Sequence, residues 1–478
     1  MTNAFSELPE RTEPNLVDSS LRHFEDEDPL AKTSRRPLAI RVGAGLKVAG
    51  LVGCSAVAPL LPTIDQKVDA TLASLLILGL GSYVTARNSA GWRGSCLDLP
   101  LIAFLAAAIL ATVLSPDPFV SFFPSRGRGE GLLMVTAFLA FALTAARLDS
   151  PHLRLVLHGV FISAAVISMV AIGQFYGWDL VRALGYGPVA PGRFFGVPTV
   201  DGDWFLSFGG RGHATLGNPV FLGGYVVLLL PLVTAIAIGT VGHGRWIFGS
   251  LAVVLAAALI SSGTRAAWVS FCSAYLVLVG LPPTSPRPWR ALITFALIFA
   301  VLWFLMAATN PALRQRAATT FDTGDASLRM KLYVWKHVLP MIIQRPLTGW
   351  GFSNLLGRFP DIGSEEYREI YGWQAAVIDS PHNDLLHVAF ATGLVGLGAY
   401  LWVWATVFRV LGRVRGWLTI RPLAVGAAAS LVGYWIWLQS AWNHLGPANV
   451  FWPFVGLCVA MDRGARKSVV GRCRPFAG

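Results

Sequence analysis

Residues 217–239 read GNPVFLGGYVVLLLPLVTAIAIG, a run without a single charge. As a helix rising 1.5 Å per residue, such a run covers about 35 Å and is apolar on every side. Only a bilayer or the middle of a helical bundle accepts that surface. Similar stretches recur along the chain. Of its 478 residues 54% are hydrophobic and 13% are charged, against about 25% charged in soluble proteins. Mean hydropathy is +0.57. These values exclude a disordered chain, a collagen-like rod and a soluble enzyme. The five cysteines show no paired spacing, so neither a disulfide framework nor a zinc site is indicated.

The pattern predicts an all-α integral membrane protein of about twelve transmembrane helices, at 42–62, 70–86, 98–115, 131–146, 153–176, 217–239, 246–262, 264–281, 289–307, 383–408, 422–441 and 447–462. Lys47 makes the first of these the weakest. Residues 1–37, with the acidic run Glu25, Asp26, Glu27 and Asp28, lack a cleavable-signal pattern and are expected to be a disordered cytoplasmic tail. Residues 38–462 are then one polytopic domain, and 463–478 a basic cytoplasmic tail. With the N-terminus inside, the inner segments hold 23 of the 38 Lys and Arg but 11 of the 26 acids, so all of the net charge of +12 lies inside. This is the positive-inside pattern, and it accounts for the basic balance without nucleic acid. Arg409, Arg413, Arg415 and Arg421 share one short inner loop. Two outer loops are long, 177–216 and 308–382. In the second, Leu328, Leu332, Trp335, Leu339 and Ile342 recur at helical spacing, predicting an amphipathic surface helix over 326–345 that ends at Arg345-Pro346.

The span interiors are almost free of ionisable residues, His158 and His387 being the main exceptions and Asp98 lying at an edge. Transporters and pumps usually keep such groups along their path. The unusual polar residues gather instead at outer span ends, in three places. Arg211 and His213 precede Asn218-Pro219, a cap and first-turn pair. That segment is either a plain polar loop or an arginine beside free helix N–H groups, which suits phosphate. Ser262-Gly263-Thr264-Arg265 turns a tight hairpin ahead of Trp268. Arg265 either snorkels to the interface or stands as a fixed positive charge. Asp379-Ser380-Pro381-His382-Asn383-Asp384 opens the tenth span, with Ser380 as expected cap, Pro381 at the first helical position and Asp384 in the first turn. His382 is a candidate general base there, since a neutral imidazole suits the role and a helix N-terminus disfavours its cation. Gly393 and Gly396 on the same helix are expected to admit a close neighbouring helix.

His382-Asn383, nine residues, Gly393, two residues and Gly396 resemble the signature His-(Asn/Ser/Gln)-x9-Gly-x-x-(Gly/Thr/Tyr) of the O-antigen ligase and O-antigen polymerase superfamily. Three further segments are similar to stretches of that family: Arg345-Pro346-Leu347 with Gly349-Trp350-Gly351, Thr264-Arg265 with Trp268, and Thr215 with Gly217-Asn218-Pro219. The resemblance runs in order over roughly 120–462. It implies a C-type membrane glycosyltransferase, a helical bundle with a large extracytoplasmic loop containing short helices between spans nine and ten. Such an enzyme moves a glycan from a polyprenyl diphosphate carrier to a hydroxyl acceptor. The implied localisation is the bacterial inner membrane with the site facing outward. Carried over residue by residue, the resemblance makes His382 the base and Arg211 and Arg265 the diphosphate partners. Arg329 looks like the arginine of the family's outer-loop helix, though Lys331 and Lys336 stand beside it. Asn383, Gly393 and Gly396 support the site.

Arginine forks match phosphate oxygens and stay charged. No HExxH motif is present in the sequence, and Asp65 and Asp69 read as solvated loop charges. The expectation is therefore a reaction without cofactor or metal, inverting at the anomeric carbon. A ligase acting on a lipid or glycan acceptor, a repeat-unit polymerase and a protein-glycosylating relative use the same chemistry. A carrier of lipid-linked sugars is the reading from another class, disfavoured by the scarcity of charge within the spans.

Overall fold

The computed structural model describes residues 38–88, 94–124, 128–184, 210–281, 288–320, 322, 324–360, 364–371, 378–414 and 421–472. The expected N-terminal tail, residues 473–478 and most of the 177–216 loop lie outside the described residues. Among the described residues the chain is helical, without strands. The elements used below are α1 Leu38–Val52, α2 Ile64–Asn88, α3 Asp98–Val113, α4 Leu132–Ala145, α5 Ser150–Phe175, α6 Pro219–Gly239, α7 Gly242–Ser261, α8 Arg265–Gly280, α9 Pro288–Thr309, α10 Pro311–Ala318, α11 Ala326–Gln344, α12 Glu365–Tyr371, α13 Asp384–Val414, α14 Arg421–Leu438 and α15 Leu445–Arg472.

Eight helical segments among the described residues are long and apolar enough to cross a membrane: α1 with the turns that extend it to Leu60, α2, α5, α6, α7, α9, α13 and α15. The other four expected stretches fall on shorter helices. Those of α3, α4 and α8 are 16, 14 and 16 residues, about 24 Å or less, under the roughly 30 Å of a bilayer core. That of α14 is 18 residues. Helix α15 runs on into the expected C-terminal tail, as far as Arg472.

Helix α6 is the centre, as its all-round apolar sequence requires: Leu222 and Tyr225–Leu230 are fully buried. Helix α14 lies against α6 and α8, and glycines set that approach. A Cβ on Gly426 would come within 2.8 Å of the Ala235 Cβ, and one on Gly433 within 2.9 Å of the Ala274 Cβ. The close helix approach expected of Gly393 and Gly396 is thus found elsewhere.

Gly393 does something different. At φ 67° and ψ −175° it interrupts α13, a conformation open to glycine and strained for other residues. The segment after α11 plugs the break. Trp350 N donates to Phe390 O (2.8 Å), Gly351 N to Ala391 O (2.9 Å), and Leu394 N to Pro346 O (2.7 Å). A Cβ on Gly396 would meet Thr392 of its own helix, 2.1 Å from Oγ1. Two motifs far apart in sequence are therefore one structural lock.

Helix α11 forms where expected and stops at Arg345. Its buried face is Tyr333, Val334, Val338, Met341 and Ile342, packed with Phe359, Tyr367 and Phe390. Leu328, Leu332 and Leu339 of the expected stripe are exposed. The helix therefore has two apolar faces, one inside the protein and one outside it.

Candidate active site

The functional candidates converge at one end of the bundle, where α2, α6, α8, α11, α13 and α15 begin. Asn383, not Ser380, caps α13: its Oδ1 accepts from Leu386 N (3.1 Å), and the helix starts at Asp384 rather than Pro381. The Asn383 amide also donates to Gln439 O at the end of α14 (3.1 Å). His382 thereby falls just outside the helix, in a left-handed backbone conformation with φ 49°. Such a conformation costs a non-glycine residue about 1–3 kcal/mol and tends to occur at functional sites. Ser380 Oγ accepts from His382 N (3.2 Å) and Trp335 of α11 donates through Nε1 to Pro381 O (2.7 Å), bracing the turn on both sides.

The His382 residue is solvent-exposed and stands among the converging elements. Enclosure by protein, then the positive charges of Lys331 and Arg128, and then His387, push its pKa well below the ordinary imidazole value. The open side moderates the shift without changing its direction. A neutral ring results at pH 7, with a lone pair available.

Around it stand cations. Arg265 opens α8, where Thr264 is the residue before the first turn. Its guanidinium takes both oxygens of Asp325 (2.5 and 2.8 Å) and reaches Thr319 O (2.8 Å) and Thr319 Oγ1 (3.0 Å). Asp325 caps α11 through Ser327 N (3.0 Å). Arg211 donates to Ser262 O (2.7 Å) and Thr264 Oγ1 (3.0 Å), tying the 210–217 loop to the hairpin turn. Burial, with Arg316 and Arg265 nearby, lowers its pKa, but a guanidinium remains charged at neutral pH. Lys331 on α11 joins the two halves of the site. Its charge acts on His382 on one side, and it feels Arg265 and Asp325 on the other. Burial and Arg265 bring it down to about 8, still an ammonium at pH 7.

Arg329 is exposed on the other face of α11 and is not gathered with the rest. Two residues along a helix is about 200° of rotation, so Lys331 faces in where Arg329 faces out. Of the two, Lys331 is the one whose charge reaches His382.

Several residues were missed in the sequence. Arg128 forms an ion pair with the largely buried Asp379 and stacks over Trp442, 5.6 Å from its ring centre. Glu130 accepts from Trp442 Nε1 (2.7 Å) and sits 3.9 Å from His387 Nε2. Lys67, between Asp65 and Asp69, is inside the first turn of α2 and almost fully buried, donating to Leu61 O and to Thr215 O (2.7 Å). Asp65 and Asp69 are exposed. Asp384 is buried and accepts from Tyr400 OH (2.6 Å) and Asn443 N (2.9 Å), clamping the 442–444 loop to α13. The only local signal for these residues was a charged cluster, Arg126, Arg128 and Glu130, wedged between two apolar stretches.

Among the described residues no three His, Cys, Asp or Glu side chains are grouped to hold a metal ion. The arrangement sets a neutral imidazole beside excess positive charge, chemistry suited to accepting a proton next to an anion.

No curated protein matches the chain. Residues 250–401, from α7 through the break in α13 and including Arg265, Lys331 and His382, match the family model described as O-antigen ligase. By that match this stretch of the chain is similar to the O-antigen ligase family.

Proposed function

We propose that the protein is a membrane glycosyltransferase that takes a glycan from a polyprenyl diphosphate and attaches it to an acceptor hydroxyl. The observation that carries this reading is His382, an exposed neutral imidazole held in a strained turn and linked through Lys331 to Arg265. Arg265, Lys331, Arg211 and Arg316 form a cluster of positive charge whose chemistry suits a diphosphate. Positive charge there stabilises the negative charge that develops on the leaving group, an effect worth several kcal/mol in a partly dry site.

In the reaction, the acceptor oxygen forms a bond to the anomeric carbon as the bond from that carbon to the diphosphate oxygen breaks. The electron pair of the broken bond leaves with the diphosphate. The acceptor proton passes to His382, which becomes an imidazolium and later returns it to solvent. General-base assistance of this kind contributes about 10²–10⁴-fold. Attack opposite the leaving group inverts the anomeric configuration. The site faces the extracytoplasmic side of the inner membrane in this reading, as the charge distribution of the loops indicates.

The test is transfer by purified protein from a polyprenyl-diphosphate oligosaccharide with EDTA present, run beside His382→Ala. A glycolipid core and a fresh carrier-linked repeat are offered as separate acceptors. Transfer to the core, lost in the variant, supports a metal-independent ligase; elongation of the carrier-linked chain makes it a polymerase. Movement of the intact lipid-linked sugar across vesicles without transfer sinks the enzymatic reading.

A further inference from the structure

We infer that Trp442 and Glu130 are positioning residues for His382, the indole holding the imidazole and the carboxylate holding the indole. The inference rests on the reading of His382 as the base. The His382 ring meets Trp442 edge-to-face, with centroids 5.0 Å apart at 72°. Trp442 is buried and fixed from four other directions. Its Nε1 donates to Glu130 Oε1 at 2.7 Å, Arg128 lies over the ring, and Phe221 and His444 meet it edge-to-face at 5.5 and 5.8 Å. The backbone beside it is pinned by the bond from Asn443 N to Asp384, so the residue after Asn383 also sets the ring that His382 touches.

This arrangement has a chemical consequence. When His382 takes the acceptor proton it becomes a cation whose ring centroid lies 5.0 Å from that of an indole. A carboxylate bonded to the indole N–H adds negative charge behind that ring. Glu130 thus does through an indole what a carboxylate does directly in an Asp–His pair: it fixes the imidazole's orientation and favours its protonated form at the moment of reaction. The charged and titratable groups around His382 are Lys331 from α11, Arg128 paired with Asp379 and Glu130 from the loops, His387 and Asp384 from α13, and His444 before α15. Of the carboxylates among them, Glu130 is the one bonded to the ring that His382 contacts.

The experiment compares full-length wild type, Glu130→Gln, Glu130→Asp, Trp442→Phe and the Gln/Phe double variant in the transfer assay. Expected are a kcat roughly tenfold lower in Glu130→Gln, unchanged KM for the donor, partial recovery in Glu130→Asp, and the same loss in Trp442→Phe. The double variant should be no worse than either single one, because Trp442→Phe breaks the bond through which the Glu130 charge acts. Additive losses, or full activity in Glu130→Gln, overturn the inference while leaving the His382 assignment intact. A second readout needs no turnover. The rate at which diethyl pyrocarbonate modifies His382, followed on its own peptide by mass spectrometry, is expected to change about threefold in both single variants. An unchanged rate means the indole does not hold the ring and overturns the inference even in a preparation without transfer activity.

Discussion

The Arg265 guanidinium is bonded to both carboxylate oxygens of Asp325, at 2.5 and 2.8 Å, so the edge that matches a phosphate is already occupied by an anion of the protein itself. A donor diphosphate must displace that carboxylate or share the arginine with it. Asp325→Asn removes the competing charge and keeps a side chain that caps α11 equally well. The expected outcome is a severalfold lower KM for the donor, read by titrating the polyprenyl-diphosphate substrate. A higher KM would show instead that Asp325 orients Arg265 for the donor. Acidification does not open this pair at physiological pH. Bonds from Arg265 hold the Asp325 carboxyl below its ordinary value. The interaction is therefore fully present above about pH 4 and is lost only as pH falls through the depressed value.

The lowered pKa of His382 makes a pH prediction. Enclosure and the charges on Lys331 and Arg128 disfavour the imidazolium in the resting site, so the base stays free where an ordinary histidine would be half protonated, near pH 6.5. The folded protein resists protonation there, so the acid limb of kcat/KM is expected well below the ordinary imidazole value. Lys331→Met removes a nearby cation and should move that limb upward. A wild-type profile that breaks near 6.5 would place the base in a different environment from the one described.

Arg329 and Lys331 separate on function as they do on α11. Arg329→Ala, on the exposed face, is expected to leave kcat/KM within about threefold of wild type, the effect of a surface charge. Lys331→Met should lower it by at least about tenfold, as loss of a charge that stabilises the leaving group does. Equal losses in the two variants would return Arg329 to the site.

Much of this arrangement was legible in the sequence, and the failures share a physical cause. Long apolar runs mark α5, α6 and α9 because lipid imposes one requirement on every side of a span. His382, Arg265 and Arg211 stood out because each polar residue adjoins a helix start at one end of the bundle. Lys331 could not be chosen over Arg329 because the choice depends on which of two apolar faces of α11 turns inward, and the exposed Leu328 and Leu332 carry the same periodicity as the buried Val334 and Val338. Ser380 was preferred as a cap because Pro381 followed it. Tertiary bonds to Trp335 and Gln439 place the start three residues later. Glu130 and Trp442 are 312 positions apart, and nothing local in either stretch marks the pairing. Glycines were read as a contact between helices when Gly393 is a break in one.

That break gives the last prediction. A Cβ on Gly393 would lie 2.2 Å from Leu347 O, and one on Gly349 would lie 2.6 Å from both Gly393 N and Phe390 O. Every one of these contacts is with backbone, which cannot rotate away, and both glycines have positive φ (67° and 70°). Gly393→Ala and Gly349→Ala therefore combine strain with overpacking and should each destabilise the protein by about 2–4 kcal/mol. The bonds from Trp350, Gly351 and Leu394 cross the same contact, so the plug should detach as a unit. The double variant is accordingly expected to lose less stability than the sum of the singles, since the second substitution acts on a contact already lost. Thermal unfolding of the detergent-solubilised protein measures this. Because the plug sets the first nine residues of α13 behind His382, transfer activity should fall at temperatures well below the global transition in each variant. Activity that tracks global unfolding in both would mean that the break does not position the base.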